Sequence, residues 1–314
     1  MVDAARAAVS NEVMAYRYVT TDVFTERIFG GNPLAVVFDA AGLTTRQMQS
    51  IATEFNYAET AFVLPPRDAG ATAHVRIFTA TTEVPFAGHP TVGTAVMLAH
   101  ELAAGSTPVG DGFVFEMAAG RVPVRLLRRD GVVVGAEFRA PQALTVGASL
   151  ALADAAACLS LDPADLPDGA PPAVLSVGLP FLVVELASRD ALRRARPVLS
   201  LHERFLPPLG TDAIYAWVRG DSPGLLHARM FSPLDACVED AATGSATAAT
   251  LARLAAADGG LNPELHWRVE QGVEMGRPSL LLGRTVREDA GVIATYIAGH
   301  AVPVMLGIIG LQAN

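Results

Sequence analysis

Residues 83–95 read EVPFAGHPTVGTA, with Pro85 breaking a strand-like run and Gly88, His89 and Pro90 standing directly before a helix-forming segment. Two chemistries fit these residue types. In the first the segment is only a cap: Gly88 turns the chain, His89 caps it, and Pro90 takes the first helical position, where its missing N–H costs nothing. In the second, the unpaired backbone N–H groups and the positive dipole end of the helix form a seat for an anion. A later segment, ATGSATAATLARLAA, repeats the design with Thr243, Gly244 and Ser245 before a run of small apolar residues. Two such helix starts turned toward one cleft would grip a small anionic substrate from both sides.

Other chemistries are excluded by what the 314 residues lack. All 23 basic residues are arginine, so no lysine is present to form a pyridoxal-phosphate Schiff base, an aldolase imine or a P-loop. The seven histidines form no HExxH and no spacing typical of a metal site, and no Gly-x-Gly-x-x-Gly stands between a strand and a helix. No metal and no cofactor is therefore expected. A net charge of −9 with scattered arginines argues against nucleic acid. Cys158 and Cys237 cannot make a disulfide framework, and as free thiols they read as small hydrophobes. No apolar run is long enough to span a bilayer, and residues 1–13 lack the apolar core of a secretory signal, so no membrane partner and a cytoplasmic location are expected.

The elements that must position these helix starts are mostly short strands. Residues 16–24, 33–38, 58–64, 73–79 and 112–117 carry β-branched and aromatic residues between Gly, Asn or Pro. LTTRQMQSIATEF has the spacing of an amphipathic helix, and residues 90–102 are apolar all round, as a helix enclosed by a sheet would be. RVPVRLLRRDGVVVGAEF reads as a hairpin turning at Asp130–Gly131. Beyond a boundary placed near Pro141 the plan recurs, with strands at 173–177, 180–187, 213–218 and 225–231, helical segments around 189–204, and then the glycine-led segment. The C-terminal AVPVMLGIIGL reads as a buried strand. A repeat of this length implies two related domains, 16–141 and 142–314, after a loosely ordered leader, 1–15; the last strand is free to pack back on the first domain.

DVFTERIFGGNPLAVV, NYAETAFVLP, VRIFTATTEVPFAGHPTVGTA, FSPLDACVEDAATGSA and QGVEMGRPSLL together resemble the phenazine-biosynthesis isomerase (PhzF-like) family, in the family's order over residues 16–310. The resemblance implies an α+β fold of the diaminopimelate epimerase type: two pseudo-symmetric domains, each a β-barrel-like sheet around a central helix, with the site between them. It also implies a homodimer that needs neither metal nor cofactor.

The resemblance assigns roles that residue patterns alone do not. Glu59, which by itself reads as a solvated carboxylate at a strand start, matches the family's proton-transferring base. Asp240 matches the acidic residue that positions the substrate, although an acid just before a helix also favours its dipole. His89 and Asp240 would hydrogen-bond the substrate, while Gly88, Thr243, Gly244 and Ser245 would bind its carboxylate or a developing enolate. The implied reaction moves a proton between carbons of a carboxylated, amino- and hydroxyl-bearing cyclohexadiene. Neither helix start carries the cysteine used by epimerase relatives, which disfavours racemisation; a non-catalytic ligand-binding protein is the third reading. Ala58, Ala236 and Ala241 stand where the family commonly has serine, glycine and proline, so substrate identity is open.

Overall fold

The computed structural model describes residues 13–312, apart from 236, 259, 261, 289 and 290. Most of the expected leader, and the Ala236 departure, lie outside the described residues.

The first half comprises β1 (Val13–Val23), β2 (Asn32–Val37), α1 (Thr45–Phe55), β3 (Glu59–Leu64), β4 (Ala73–Phe78), β5 (Glu83–Val84), α2 (Gly88–Ala104), β6 (Gly112–Met117), β7 (Gly120–Arg129) and β8 (Val132–Arg139). The second comprises β9 (Thr145–Ser149), α3 (Leu152–Cys158), β10 (Ala173–Ser176), β11 (Pro180–Glu185), α4 (Arg189–Arg194), α5 (Leu199–Phe205), β12 (Ile214–Arg219), β13 (Leu225–Phe231), β14 (Glu239–Asp240), α6 (Gly244–Ala257), β15 (Glu264–Gln271), β16 (Ser279–Glu288) and β17 (Gly291–Gln312).

Hydrogen-bonded pairing runs β17-β1-β2-β3-β4-β6-β7-β8 and returns to β17, closing a barrel of eight strands. The second half follows β17-β16-β15-β13-β12-β11-β10-β9. β17 thus serves both halves: it pairs with β16 through Ala298, with β8 around Gly299 and with β1 from Ala301 onward. The expected epimerase-like architecture is present, with α2 inside the first barrel and α6 inside the second sheet. α2 is buried continuously from Gly88 to Ala99, which is why its sequence lacks a polar face.

The internal repeat extends to side chains. Arg76 on β4 makes a two-pronged ion pair with Glu83 on β5 and lies over Phe78; Arg229 on β13 does the same with Glu239 on β14 and lies over Phe231. The ladder registers Phe78↔Glu83 and Phe231↔Glu239 match. In each half the helix begins five residues after that glutamate, so Gly88 answers Gly244 and His89 answers Ser245.

Two expectations change. The cap at α2 is Ala87, with no side-chain cap bond, so His89 and Pro90 sit within the first turn instead of capping it or opening it. The helical segments expected around 189–204 are present as two short helices, with Pro197 between them. The C-terminal strand is formed but not buried: Met305 is 50%, Leu306 83% and Ile308 68% exposed. Among the described residues, its ladder beyond Ala301 is with β1 alone, and one of its faces packs, through Ile309 and Leu311, on the layer that includes Met48 and Ile51 of α1.

Candidate active site

Each half carries one helix start into the same cleft, and at both the glycine lets backbone approach backbone. A β-carbon on Gly88 would lie 3.4 Å from the α-carbon of Gly244 and 2.9 Å from Cζ of Phe138. Neither helix start has a side-chain cap; the Thr243 hydroxyl turns instead to donate to Asp240 Oδ2 at 2.5 Å. The first-turn N–H groups are thus left for another acceptor.

Glu59 opens β3, directly after the chain leaves α1 through Asn56 in the left-handed conformation (φ 51°). Its Oε2 lies 3.4 Å from Nδ1 of His89, which is 4% exposed on the first turn of α2. Asp240 ends β14 across the cleft, and the buried amide of Asn32 connects the two sides: its Nδ2 donates to Asp240 Oδ1 at 2.6 Å and to the Ala242 carbonyl at 3.0 Å, and lies 3.3 Å from His89 Nδ1. Gln271 fixes the segment before α6, donating to the carbonyl of Asp240 at 2.9 Å and to Thr243 Oγ1 at 3.0 Å and accepting from the Thr243 N–H at 3.1 Å.

Burial sets the proton affinities. The Glu59 carboxyl is pushed up to about 8, first by desolvation and then by the charges of Asp240 and Asp235. Asp240 rises to about 6 by desolvation, opposed by hydrogen bonds from Thr243, Asn32 and the Ala241 and Ala242 backbone. Desolvation lowers His89 to about 3 against a backbone hydrogen bond with Pro33, so the imidazole is neutral at ordinary pH and its contact with Glu59 is not an ion pair there. Around neutrality the cleft therefore holds an ionised Asp240, a neutral His89 and a Glu59 whose proton is readily exchanged. That is the condition for general acid–base work.

A cavity of about 650 Å³ occupies the cleft, and all seven site residues singled out from the sequence line it. Cys237, read from the sequence as a structural thiol, also lines it and donates to the Glu239 carbonyl at 3.1 Å; burial and the charges of Asp240 and Glu59 push its thiol up to about 11, away from a thiolate. Sequence reasoning missed Asn32 and Gln271. Asn32 stands within the GGNP stretch, but nothing local marks a partner 208 residues away.

The model of the phenazine biosynthesis-like protein family (PhzC-PhzF) matches residues 21–307. An uncharacterized isomerase of Mesorhizobium japonicum is 37% identical, with 92% of this chain and 97% of the relative covered. The trans-2,3-dihydro-3-hydroxyanthranilate isomerase of Pseudomonas chlororaphis is 35% identical, covering 94% of this chain and all of the relative. A solved phenazine biosynthesis protein of the PhzF family from Bacillus anthracis superposes with a TM-score of 0.82 at 25% identity, over 94% of this chain and 99% of that one. Family match, barrel architecture and relatives named as isomerases lead to one assignment: the chain belongs to the phenazine biosynthesis-like family of isomerases.

Proposed function

We propose that the chain is a cofactor-independent isomerase that moves a proton, and with it a double bond, within a small carboxylated unsaturated metabolite. The observation that carries this reading is the placement of the Glu59 carboxyl, 3.4 Å from His89 Nδ1, in a cavity also lined by Asp240 and two helix starts, where burial raises its proton affinity. Ionised Glu59 takes a proton from one carbon; the electron pair left behind spreads through the conjugated system; the same carboxyl returns the proton to a remote carbon. Atoms and charge balance, and no redox partner is needed. N–H groups of the α2 and α6 starts, with the Ser245 hydroxyl, hold the carboxylate and the charge that develops, while His89 and Asp240 orient the polar substituents.

Pseudo-symmetry favours isomerisation over racemisation. Positions His89 and Ser245 are equivalent, yet one is an imidazole that stays neutral and the other a hydroxyl, so the cleft has no matched pair of bases. The relative's substrate, trans-2,3-dihydro-3-hydroxyanthranilate, is the first compound to try. Proton NMR should show conversion to a product of equal mass with relocated olefinic resonances. Unchanged spectra with this compound and with other carboxylated ring dienes would remove the reading.

In this reading the protein is a cytoplasmic homodimer. Its two cysteines are free thiols, as a reducing compartment keeps them. A second copy covers the outer edge of β17, where residues 301–312 carry no ionisable side chain and apolar groups face outward. Such an edge invites pairing unless something covers it.

A further inference from the structure

Asn32 is 1% exposed and stands behind the cavity wall. An amide nitrogen has two hydrogens, and the distances give both of them to the second half, one to Asp240 Oδ1 at 2.6 Å and one to the Ala242 carbonyl at 3.0 Å. His89 Nδ1, though 3.3 Å from the same nitrogen, receives neither and is left facing Glu59. The backbone that leads into Asn32 is clamped. Arg277 donates to Asp22 Oδ1 at 2.5 Å and to the carbonyls of Gly30 at 2.7 Å and Gly31 at 2.8 Å, while the Gly31 N–H donates to the Pro278 carbonyl at 3.0 Å.

We infer that Asn32 is a positioning residue that holds Asp240 as a hydrogen-bond acceptor, so that of the two carboxyl groups it is Glu59 that carries the proton. The inference rests on the proton-shuttle role proposed for Glu59, but its physical content is separable from turnover. Asp240 is faced by Glu59 from β3, by neutral His89 from α2, and by Asp235 and Cys237 on the loop before β14. Among the described residues, Asn32, Thr243 and the Ala241 and Ala242 backbone donate to it. Hydrogen bonds to an ionised carboxylate lower its proton affinity, and an ionised neighbour raises that of a second carboxyl. Asn32 therefore acts on Glu59 through Asp240.

The test is carboxyl ¹³C NMR titration of the ligand-free protein, with Asp240 and Glu59 assigned from Asp240→Asn and Glu59→Gln. In Asn32→Ala the Asp240 midpoint should rise by about one pH unit or more, as expected for loss of a donor to a buried carboxylate, and the Glu59 midpoint should fall. A folded variant with both midpoints unchanged would overturn the assignment. Should Asn32→Ala not fold, Asn32→Leu keeps the approximate side-chain shape while removing the donor and adding no charge. The Asp240 midpoint should rise there too, and an unmoved midpoint would count against the proposal equally. Because no substrate is present, this result stands apart from whether the protein isomerises anything.

Discussion

Gly88 and Gly244, 156 positions apart in the sequence, bring two helix starts together so closely that a β-carbon on either would lie within 3.6 Å of the other's α-carbon. The glycines therefore do more than leave room for a ligand: they set the separation of the two halves where the cavity forms.

The contact is not symmetric, and mutation should reveal that. A β-carbon at Gly88 would meet the ring of buried Phe138 at 2.9 Å, and that ring is itself packed edge-on against Phe86. Gly88→Ala should cost about 1–3 kcal/mol by overpacking. At Gly244 the nearest approach is an ordinary 3.5 Å, and alanine is the better helix former, so Gly244→Ala should be neutral or slightly stabilising. Urea unfolding of both variants checks the order; equal losses would mean that the Phe138 contact is unimportant.

Glu59→Gln keeps the shape of the carboxyl but cannot carry the proton. Turnover should fall by a factor of about 10² or more, with binding of a carboxylate analogue largely retained. Steady-state kinetics and calorimetric titration separate the two. Near-normal turnover in a pure variant would remove Glu59 from the mechanism.

The pH dependence has a definite sign. As a base Glu59 must be ionised, so kcat/KM should climb with pH and level off above about 8. Stability should run the other way. Because the folded value, about 8, lies above the ordinary 4.5, the folded chain binds this proton more tightly than the unfolded chain. Below 4.5 both states are protonated; from there to about 8 stability falls with rising pH, by at most about 1.4 kcal/mol per unit from this group. Glu59→Gln should therefore gain on the parent at pH 9 relative to pH 5, whereas parallel urea curves at the two pH values would show that Glu59 is not desolvated.

How much of this was legible depends on the range of the interactions. The two helix starts were readable because glycine, serine and proline punctuate them locally, and because the plan occurs twice. The Asp130–Gly131 turn was readable for the same reason, and both of its residues have positive φ in the structure. β5 and β14, two residues each, are too short to show any period, yet they carry Glu83, Glu239 and Asp240. Composition misled at the C-terminus: an apolar run signals a strand but does not reveal whether another element covers it, and Leu306 is bare. Glu59 looked like a surface carboxylate until a family resemblance singled it out. Its burial comes from α2 and the second half, which its own neighbours in sequence do not encode.

The edge of β17 offers a check on assembly. Leu306→Arg places a charge on the most exposed apolar residue of that edge, outside the cleft. Sedimentation should show a dimer in the parent and a shift toward monomer in the variant. A monomeric parent, or an unaltered dimer in the variant, would detach β17 from assembly.

A proton carried by Glu59 between two carbons of one substrate leaves its trace in turnover in deuterated water, read by NMR of the product. Deuterium is expected at a ring or chain carbon remote from the original C–H bond, to an extent limited by direct return of the abstracted proton, with loss of both label and conversion in Glu59→Gln. Label confined to an α-carbon with inverted configuration, or the same labelled product formed at an undiminished rate by Glu59→Gln, would contradict it.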